Sequence, residues 1–447
     1  METNGLPVMV VGAGIAGLTA ASMLREHGRR VRLFEAGRQV AGLASSFVDE
    51  QGFSYDFGAH FVTNRLAAAI GAGAACRDVK YYGESVLLRG KVYPYPFGLI
   101  RSPRFALSAI ASRAGSLVGG PRVESAADWF RLNYGRRLAD AIANPLVEAW
   151  SGAPAEDLAP AVGEKFSRGI GHILYLRMAS RLLGKAIANG YCREQPESVD
   201  VWHVYPTGGV AALCERLADG LESVLELQSP VEQIVVDSGR VVGVRVKGSE
   251  HEAHAVVSTA PVHILSRLVE GSDALKPLAR FRYRPMVFVN MRLEGRGLLP
   301  DVVLWTPERH HPFFRLTEAS GSMPWLAPAG KTMITVDIGC ETTDPVWSMT
   351  EDQLGELCLE HMQAIIPDVR ARYLGCRVLR TPIAYPVFLR SYETERRALE
   401  RSTGIRGLYS IGRNGEFAHI LMEDVYWRTR RKMRELLREG VGVVAYA

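Results

Sequence analysis

The sequence is poor in the features that would place it in several common classes. Its six cysteines, Cys76, Cys192, Cys214, Cys340, Cys358 and Cys376, are scattered over 447 residues without a C-x-x-C pair. In a chain of this length that favours thiols in a reducing compartment over a disulfide framework or a zinc site. No apolar run approaches the ~20 residues needed to cross a bilayer. The longest, "FALSAIASRAGSLVGG" from Phe105, carries Arg113 in its middle and is read as a helical core segment, with a membrane-surface helix or the lining of an apolar channel as alternatives. The first residues lack the basic leader of a secretion signal, and the apolar stretch after Pro7 is cut by Gly12, Gly14 and Gly17, so a cytoplasmic location is expected.

Charge is equally sparing. Lys+Arg number 53 against 48 Asp+Glu, a formal +5, without the dense basic blocks of a nucleic-acid binder. The richest cationic run, Arg428 to Arg438, has Met433, Leu436 and Leu437 at helical spacing and reads as a solvated helix face. There is no internal repeat or low-complexity tract. What the chain does have is 47% hydrophobic residues, enough for at least two cores.

It also has "VMVVGAGIAGLTAASMLREHGRRVRLFEA" from Val8. Val8 to Val11 fits a strand buried on both faces. Ile15, Leu18, Ala21 and Leu24 follow helical period up to Gly28, and "RRVRLFEA" alternates as a second strand, giving a right-handed β-α-β unit with the two strands parallel. A helix N-terminus offers unpaired backbone N–H groups and a positive dipole end to a pyrophosphate. Gly12, Gly14 and Gly17 free the turn, the phosphate approach and the helix packing of any Cβ, and Glu35 ends the second strand, where a carboxylate accepts from both ribose hydroxyls. Dinucleotide binding follows; FAD or NAD is not decided by this stretch.

Later segments read coarsely. "ADWFRLNYGRRLADAIANPLVEAW" is helical with a break expected at Pro145, and "YPTGGVAALCERLADGLE" is a glycine turn feeding a helix. "SPVEQIVVDSGRVVGVRV" is a hairpin turning at "DSGR"; "MVFVNMRL" and "TMITVDIG" are strands, "EDQLGELCLEHMQAII" a helix, and "GLYSIGR" a last buried strand. The pair in "HEAH" (His251, His254) lies three apart on an alternating strand, and His310 and His311 have no carboxylate at ligand spacing, so no metal site is assigned.

"GRQVAGLASSF" and "FSYDFGAHFVTN" resemble the extended FAD signature of the amine oxidase and protoporphyrinogen oxidase superfamily, to which phytoene desaturases and UDP-galactopyranose mutases are related. Further segments are similar in order: "YPTGG", "SPVEQIV", "VVSTAP" and "GLYSIGRNGEFAHILMEDVYWR". The resemblance implies an α/β fold with a Rossmann-like, glutathione-reductase-type FAD-binding domain and an inserted α+β substrate domain. It divides the chain into FAD-binding parts at 1–75, 201–265 and 396–447, a mostly helical insert at 76–200, and a substrate-domain sheet and helix at 266–395.

The residues it places at the cofactor are Gly12, Gly14, Ala16, Gly17, Glu35, Ala36, Gly42, Leu43, Ala44, Gly58, Ala59, His60, Val231, Thr259, Ala260, Gly412, Arg413 and Met422. Asp56 and Pro261 match the same motifs, and Glu423 and Asp424 start a helix beneath the flavin. The usual Gly-Gly pair is Ala41-Gly42 here. His60, Arg315 and Arg413 are the candidate catalytic residues: His60 for proton transfer or a hydrogen bond to the flavin, and Arg315 in "HPFFRLTEAS" for an anionic substrate group, or else as a surface arginine between strands.

The strand "PMVFVNMRL" lacks the lysine that amine oxidases often place there, and the closing motif lacks a cysteine for a thioether link, so FAD is expected without a covalent bond. The expected activity is dehydrogenation of a small or medium organic molecule, an amine or a biosynthetic intermediate, by hydride transfer to flavin N5. A non-redox sugar-nucleotide mutase, an NAD-dependent dehydrogenase and a non-catalytic flavin binder are the other readings. A small-molecule substrate is the expected partner; peripheral membrane contact and oligomeric state are left open.

Overall fold

The structure, a computed structural model, describes residues 5–95, 97–100, 102–117, 122–165 and 170–441. Its first sheet is parallel throughout and runs Leu225–Glu226, Val31–Phe34, Val8–Val11, Ala255–Ser258, Leu408–Ser410. Val8–Val11 is central and buried along its whole length, which is why it is uniformly apolar rather than alternating. Helix Ile15–Glu26 returns the chain to Val31–Phe34 and packs beside the long helix Met422–Val441. Five strands drawn from such distant parts of the chain show that the chain leaves this layer and comes back to it.

Val231–Asp237 and Arg240–Val246 form the expected hairpin, turning at Ser238 and Gly239, both at positive φ (49° and 73°) as a tight right-twisted hairpin requires. The largest sheet has seven strands in the order Tyr373–Pro386, Tyr283–Glu294, Lys331–Gly339, Arg315–Glu318, Val303–Trp305, Glu84–Leu88, Lys91–Tyr95. It is antiparallel except where Val303–Trp305 runs parallel to Glu84–Leu88. Tyr283–Glu294 is buried on both faces. One face carries helix Glu351–Met362, opened by a reciprocal capping box between Thr350 and Gln353. On the other, Met286, Phe288 and Ala384 share a core with Phe130, Ile142, Leu146 and Trp150 of the helical segments.

Those helical segments depart from expectation in two places. The break in "ADWFRLNYGRRLADAIANPLVEAW" is at Gly135, whose φ of 81° ends helix Ala126–Tyr134, and not at Pro145. Pro145 sits in the first turn of Asn144–Ser151, directly after a π-helical stretch, Ala139–Ala143, whose wider turn accommodates a residue that has no N–H to donate. The stretch from Phe105 forms helix Pro103–Leu117 but is not a core segment: Leu107 and Ile110 are exposed. Its last residues, 118–120, and the Arg113 side chain lie outside what is described.

All six cysteines are free, five of them buried. Among the described residues no helix is long and apolar enough to cross a membrane, and no cluster of metal-ligating side chains occurs. The cationic run is in part ion-paired, Arg428 reaching Glu194 at 2.7 Å, while Met433, Leu436 and Leu437 are buried.

Candidate functional site

The glycine turn is built as its spacing requires. Gly12 has φ 95° and donates to the Phe34 carbonyl at 2.7 Å, tying the turn to the second strand. A Cβ on Gly17 would overlap the Gly12 carbonyl oxygen, and one on Gly12 would overlap the Thr259 hydroxyl. Helix Ile15–Glu26 starts at Gly14 with no side-chain cap and no acidic residue in its first turn, so its N-terminal N–H groups and dipole are left for an anion. The Glu35 carboxylate spans this turn, accepting from Ala13 N and Gly37 N, each at 2.7 Å. Ala41, which stands where a glycine pair is usual, sits at φ 90°, the left-handed conformation that glycine adopts without strain.

From this turn a single cavity of about 1,400 Å³ runs through the molecule. Organic-ligand pockets usually measure ~300–1,000 Å³, so it has room for more than one such molecule. Its first part is walled by Gly12, Gly14, Ala16, Glu35, Thr259 and Gly412, with Gly42, Leu43 and Ala44 alongside. Ala59, His60, Arg315, Arg413 and Met422 line its middle. Beyond them Leu99, Phe130, Leu138, Ile142 and Leu146 make an apolar chamber.

Five expected positions are not in this wall. Gly17 acts one layer back, through the close packing just described. Gly58, at φ 80°, has no room for a Cβ, which would lie 2.9 Å from the Phe288 ring. Ala36 is exposed, Ala260 donates its N–H to Ser258 at 3.2 Å, and Val231 is buried at the start of its strand, reached from Glu35 through Ser229 N, which donates to the Glu35 carbonyl at 2.8 Å.

Arg413 lies in the middle of the wall. It donates to the Ala384 carbonyl at 2.7 Å, its guanidinium stands 5.1 Å from the Tyr385 ring centre, and its Nε is buried without a partner. No carboxylate among the described residues comes within ion-pair distance, and burial pulls its pKa below the ordinary arginine value. Its charge therefore faces the cavity uncompensated. Arg315, by contrast, is not a surface arginine: it is enclosed and paired with the buried Asp337, and stacks 5.4 Å from Trp305. Burial alone would lower the Arg315 pKa; the Asp337 carboxylate outweighs it and holds the group charged.

His60 separates two spaces. It lines the large cavity and also a small pocket of about 30 Å³ shared with Ser54, Asp56, Tyr205 and Thr317. That size suits one or two waters. The buried His60 Nδ1, Ser54 Oγ and Thr317 Oγ1 have no hydrogen-bond partner among the described residues, and Asp56 Oδ2 stands 3.7 Å from His60 Nδ1, too far for a direct hydrogen bond. Asp56 is held by Ser46 at 2.6 Å and by the Tyr205 hydroxyl. Polar groups placed this way suit bridging water and leave His60 Nε2 for the main cavity. Glu423 and Asp424 open helix Met422–Val441 as expected, but their side chains are fixed: Glu423 accepts from Thr63 and Arg65, Asp424 from the backbone of Arg193 and Glu194.

A group at the cavity's centre was not legible in sequence. Glu84 accepts from the Tyr82 hydroxyl and from Trp305 Nε1 at 3.1 Å, Arg177 donates to the Tyr82 carbonyl at 2.8 Å, and Tyr191 stands 6.4 Å from the Tyr82 ring. Burial, reinforced by the Glu84 charge, pushes the Tyr95 hydroxyl up to about 12 and drives Tyr82 in the same direction, so both are neutral donors near pH 7. No spacing signals this group, because it forms only where Val303–Trp305 pairs with Glu84–Leu88.

The sequence model of the family described as flavin containing amine oxidoreductase matches residues 15–426. Protoporphyrinogen oxidase 2, chloroplastic/mitochondrial, of Arabidopsis thaliana is 21% identical over 452 aligned positions covering 89% of this chain and 87% of that protein. Inactive all-trans-retinol 13,14-reductase of Danio rerio is 42% identical, but over only 59 residues, 13% of this chain and 10% of that protein. The crystal structure of reduced UDP-galactopyranose mutase is similar in fold, with a TM-score of 0.78 at 19% identity over 97% of this chain and 94% of that one.

Proposed function

The chain belongs to the flavin-containing amine oxidoreductase family, and from that premise we propose that it holds FAD without a covalent bond and dehydrogenates an organic substrate, an amine or a biosynthetic intermediate. The observation that carries this reading is the continuity of one cavity from the Gly12 turn and Glu35, past the uncompensated Arg413, to His60 and an apolar chamber. The residues fit the cofactor. A capless helix N-terminus and close-packed glycines suit a diphosphate, Glu35 suits a ribose diol, and Arg413 supplies a cation that this chain leaves unmatched.

When bound, FAD supplies a hydride acceptor at N5. The chain's own residues do the rest. Gly12, Gly14 and Ala16 present backbone at the diphosphate, Glu35 accepts from the ribose, and Arg413 balances negative charge. Leu99, Phe130, Ile142 and Leu146 keep water from the substrate, which strengthens every polar contact made there. His60 takes a proton at Nε2 and, through the small pocket, passes one from Nδ1 toward Asp56. Tyr95 donates a hydrogen bond to a polar substrate atom, while the Tyr82 hydroxyl, whose proton is held by Glu84, can only accept one.

A substrate screen read by flavin bleaching tests the reading. A substrate of the proposed kind bleaches the bound flavin stoichiometrically without added reductant. Turnover of a nucleotide sugar only after dithionite reduction would instead establish the non-redox mutase chemistry suggested by the similarity to UDP-galactopyranose mutase. Glu35→Ala should lower flavin occupancy in either case, and unchanged occupancy would remove the ribose assignment.

A further inference from the structure

Helices Pro103–Leu117 and Ile170–Leu183 have two faces. Inward, Ala109 and Ile110 of the first and Ile173 and Arg177 of the second line the large cavity. Outward, Leu107 and Ile110 are 67% and 64% exposed, Tyr175 and Met178 58% and 57%, and Leu182 and Leu183 84% and 57%. Six of the eleven large apolar side chains exposed among the described residues thus lie on two helices, a concentration that scattered surface leucines would not produce. Ile110 is both exposed and in the cavity wall, so the apolar chamber opens to the outside beside the first helix, and Ile173 and Arg177 bring the second helix to the same cavity.

The charge of the same stretches is one-sided. From Ser85 to Val123, and again from Lys165 to Arg193, there is no Asp or Glu, while Lys and Arg recur in both. The exposed Arg104 and Arg181 flank the apolar side chains.

We propose that the face formed by helices Pro103–Leu117 and Ile170–Leu183 docks on an anionic lipid surface, with the chamber mouth opening into that surface. Leucine and methionine side chains insert at the acyl boundary while arginines meet the phosphates, the arrangement of an interfacial amphipathic helix. A second copy of this chain is disfavoured by the same charges, because a two-fold interface sets a patch against itself and would face arginine with arginine. A nucleic acid would answer the charge but leave the leucines uncovered. The docked orientation lets a lipid-dissolved molecule enter the chamber at Ile110 without crossing water.

Co-sedimentation of the purified protein with vesicles is the test, comparing phosphatidylcholine alone with phosphatidylcholine doped with phosphatidylglycerol. The protein should pellet with the anionic vesicles, less with the neutral ones, and less again as NaCl rises from about 0.1 M to about 1 M. The double variant Met178→Asp/Leu182→Asp should bind at least ~10-fold more weakly, with flavin content and sedimentation coefficient unchanged. Failure to pellet with anionic vesicles, or undiminished binding by the variant, overturns the proposal. So does a concentration-dependent dimer of the parent protein that the variant abolishes, which would assign the face to self-association.

Discussion

Arg413→Met should move two properties in opposite directions. In the cofactor-free protein the guanidinium is enclosed, has a carbonyl partner at 2.7 Å and an aromatic ring at 5.1 Å, and meets no carboxylate among the described residues. Removing an ion from water costs several kcal/mol after relaxation. A charged hydrogen bond returns ~1.5–3 kcal/mol and a partly desolvated cation–π contact ~0.5–2 kcal/mol. The balance leaves Arg413 a net burden of about 1–2 kcal/mol in the empty protein, so methionine, of similar reach, should raise the apo melting temperature by roughly 1–2 °C. FAD binding should fall, because a charge-assisted contact worth ~1.5–3 kcal/mol is lost, weakening Kd by about 10- to 150-fold. Arg413→Lys should recover part of the affinity. The assays are differential scanning fluorimetry of apo protein and equilibrium titration with FAD. A variant that melts lower and binds FAD as tightly as the parent would show that Arg413 is a structural strut, refuting the argument from its missing counter-charge.

Two glycine substitutions should separate packing from backbone freedom. Gly17→Ala, whose Cβ meets a backbone carbonyl, should cost about 1–3 kcal/mol and abolish flavin retention, whereas Gly42→Ala, with nothing within 4 Å but φ 54°, should cost about 1–2 kcal/mol and keep most of it; melting curves and flavin content read both. His203, fully buried among Phe61, Tyr82 and Tyr191, has its pKa lowered to about 3 by burial against 6.5 for the free side chain. The unfolded chain therefore binds the extra proton between those values, so His203 contributes fully above pH 6.5 and its contribution is lost at up to ~1.4 kcal/mol per unit as pH falls toward 3. Apo melting temperatures from pH 7 to pH 5 should fall more steeply for the parent than for His203→Phe; equal slopes would contradict the buried, neutral imidazole.

What could be read from the sequence is what depends on short spacing. The β-α-β unit follows from glycines two and three residues apart and an acid at a strand end, because helix start, turn and strand are all decided locally. The same holds for the Ser238–Gly239 hairpin. The group around Glu84 is different. Glu84 meets Trp305 across 221 residues, through a parallel pairing that neither strand announces, and the Glu35 carboxylate turns out to brace the glycine turn through Ala13 and Gly37. Helix Pro103–Leu117 misled for a related reason: its composition is that of a core helix, but one face lines a cavity and the other is left in solvent. At Pro145 the local rule was sound and was overridden by a π-turn that supplies the room proline needs.

The central claim is that one cavity holds one flavin dinucleotide along its length, from Glu35 to His60. Its most direct test is the absorption spectrum of the purified protein after saturation with FAD and removal of the excess, followed by heat release and quantitation of the chromophore. The account predicts one FAD per chain, released intact without proteolysis. A folded protein that stays colourless after that treatment would contradict it.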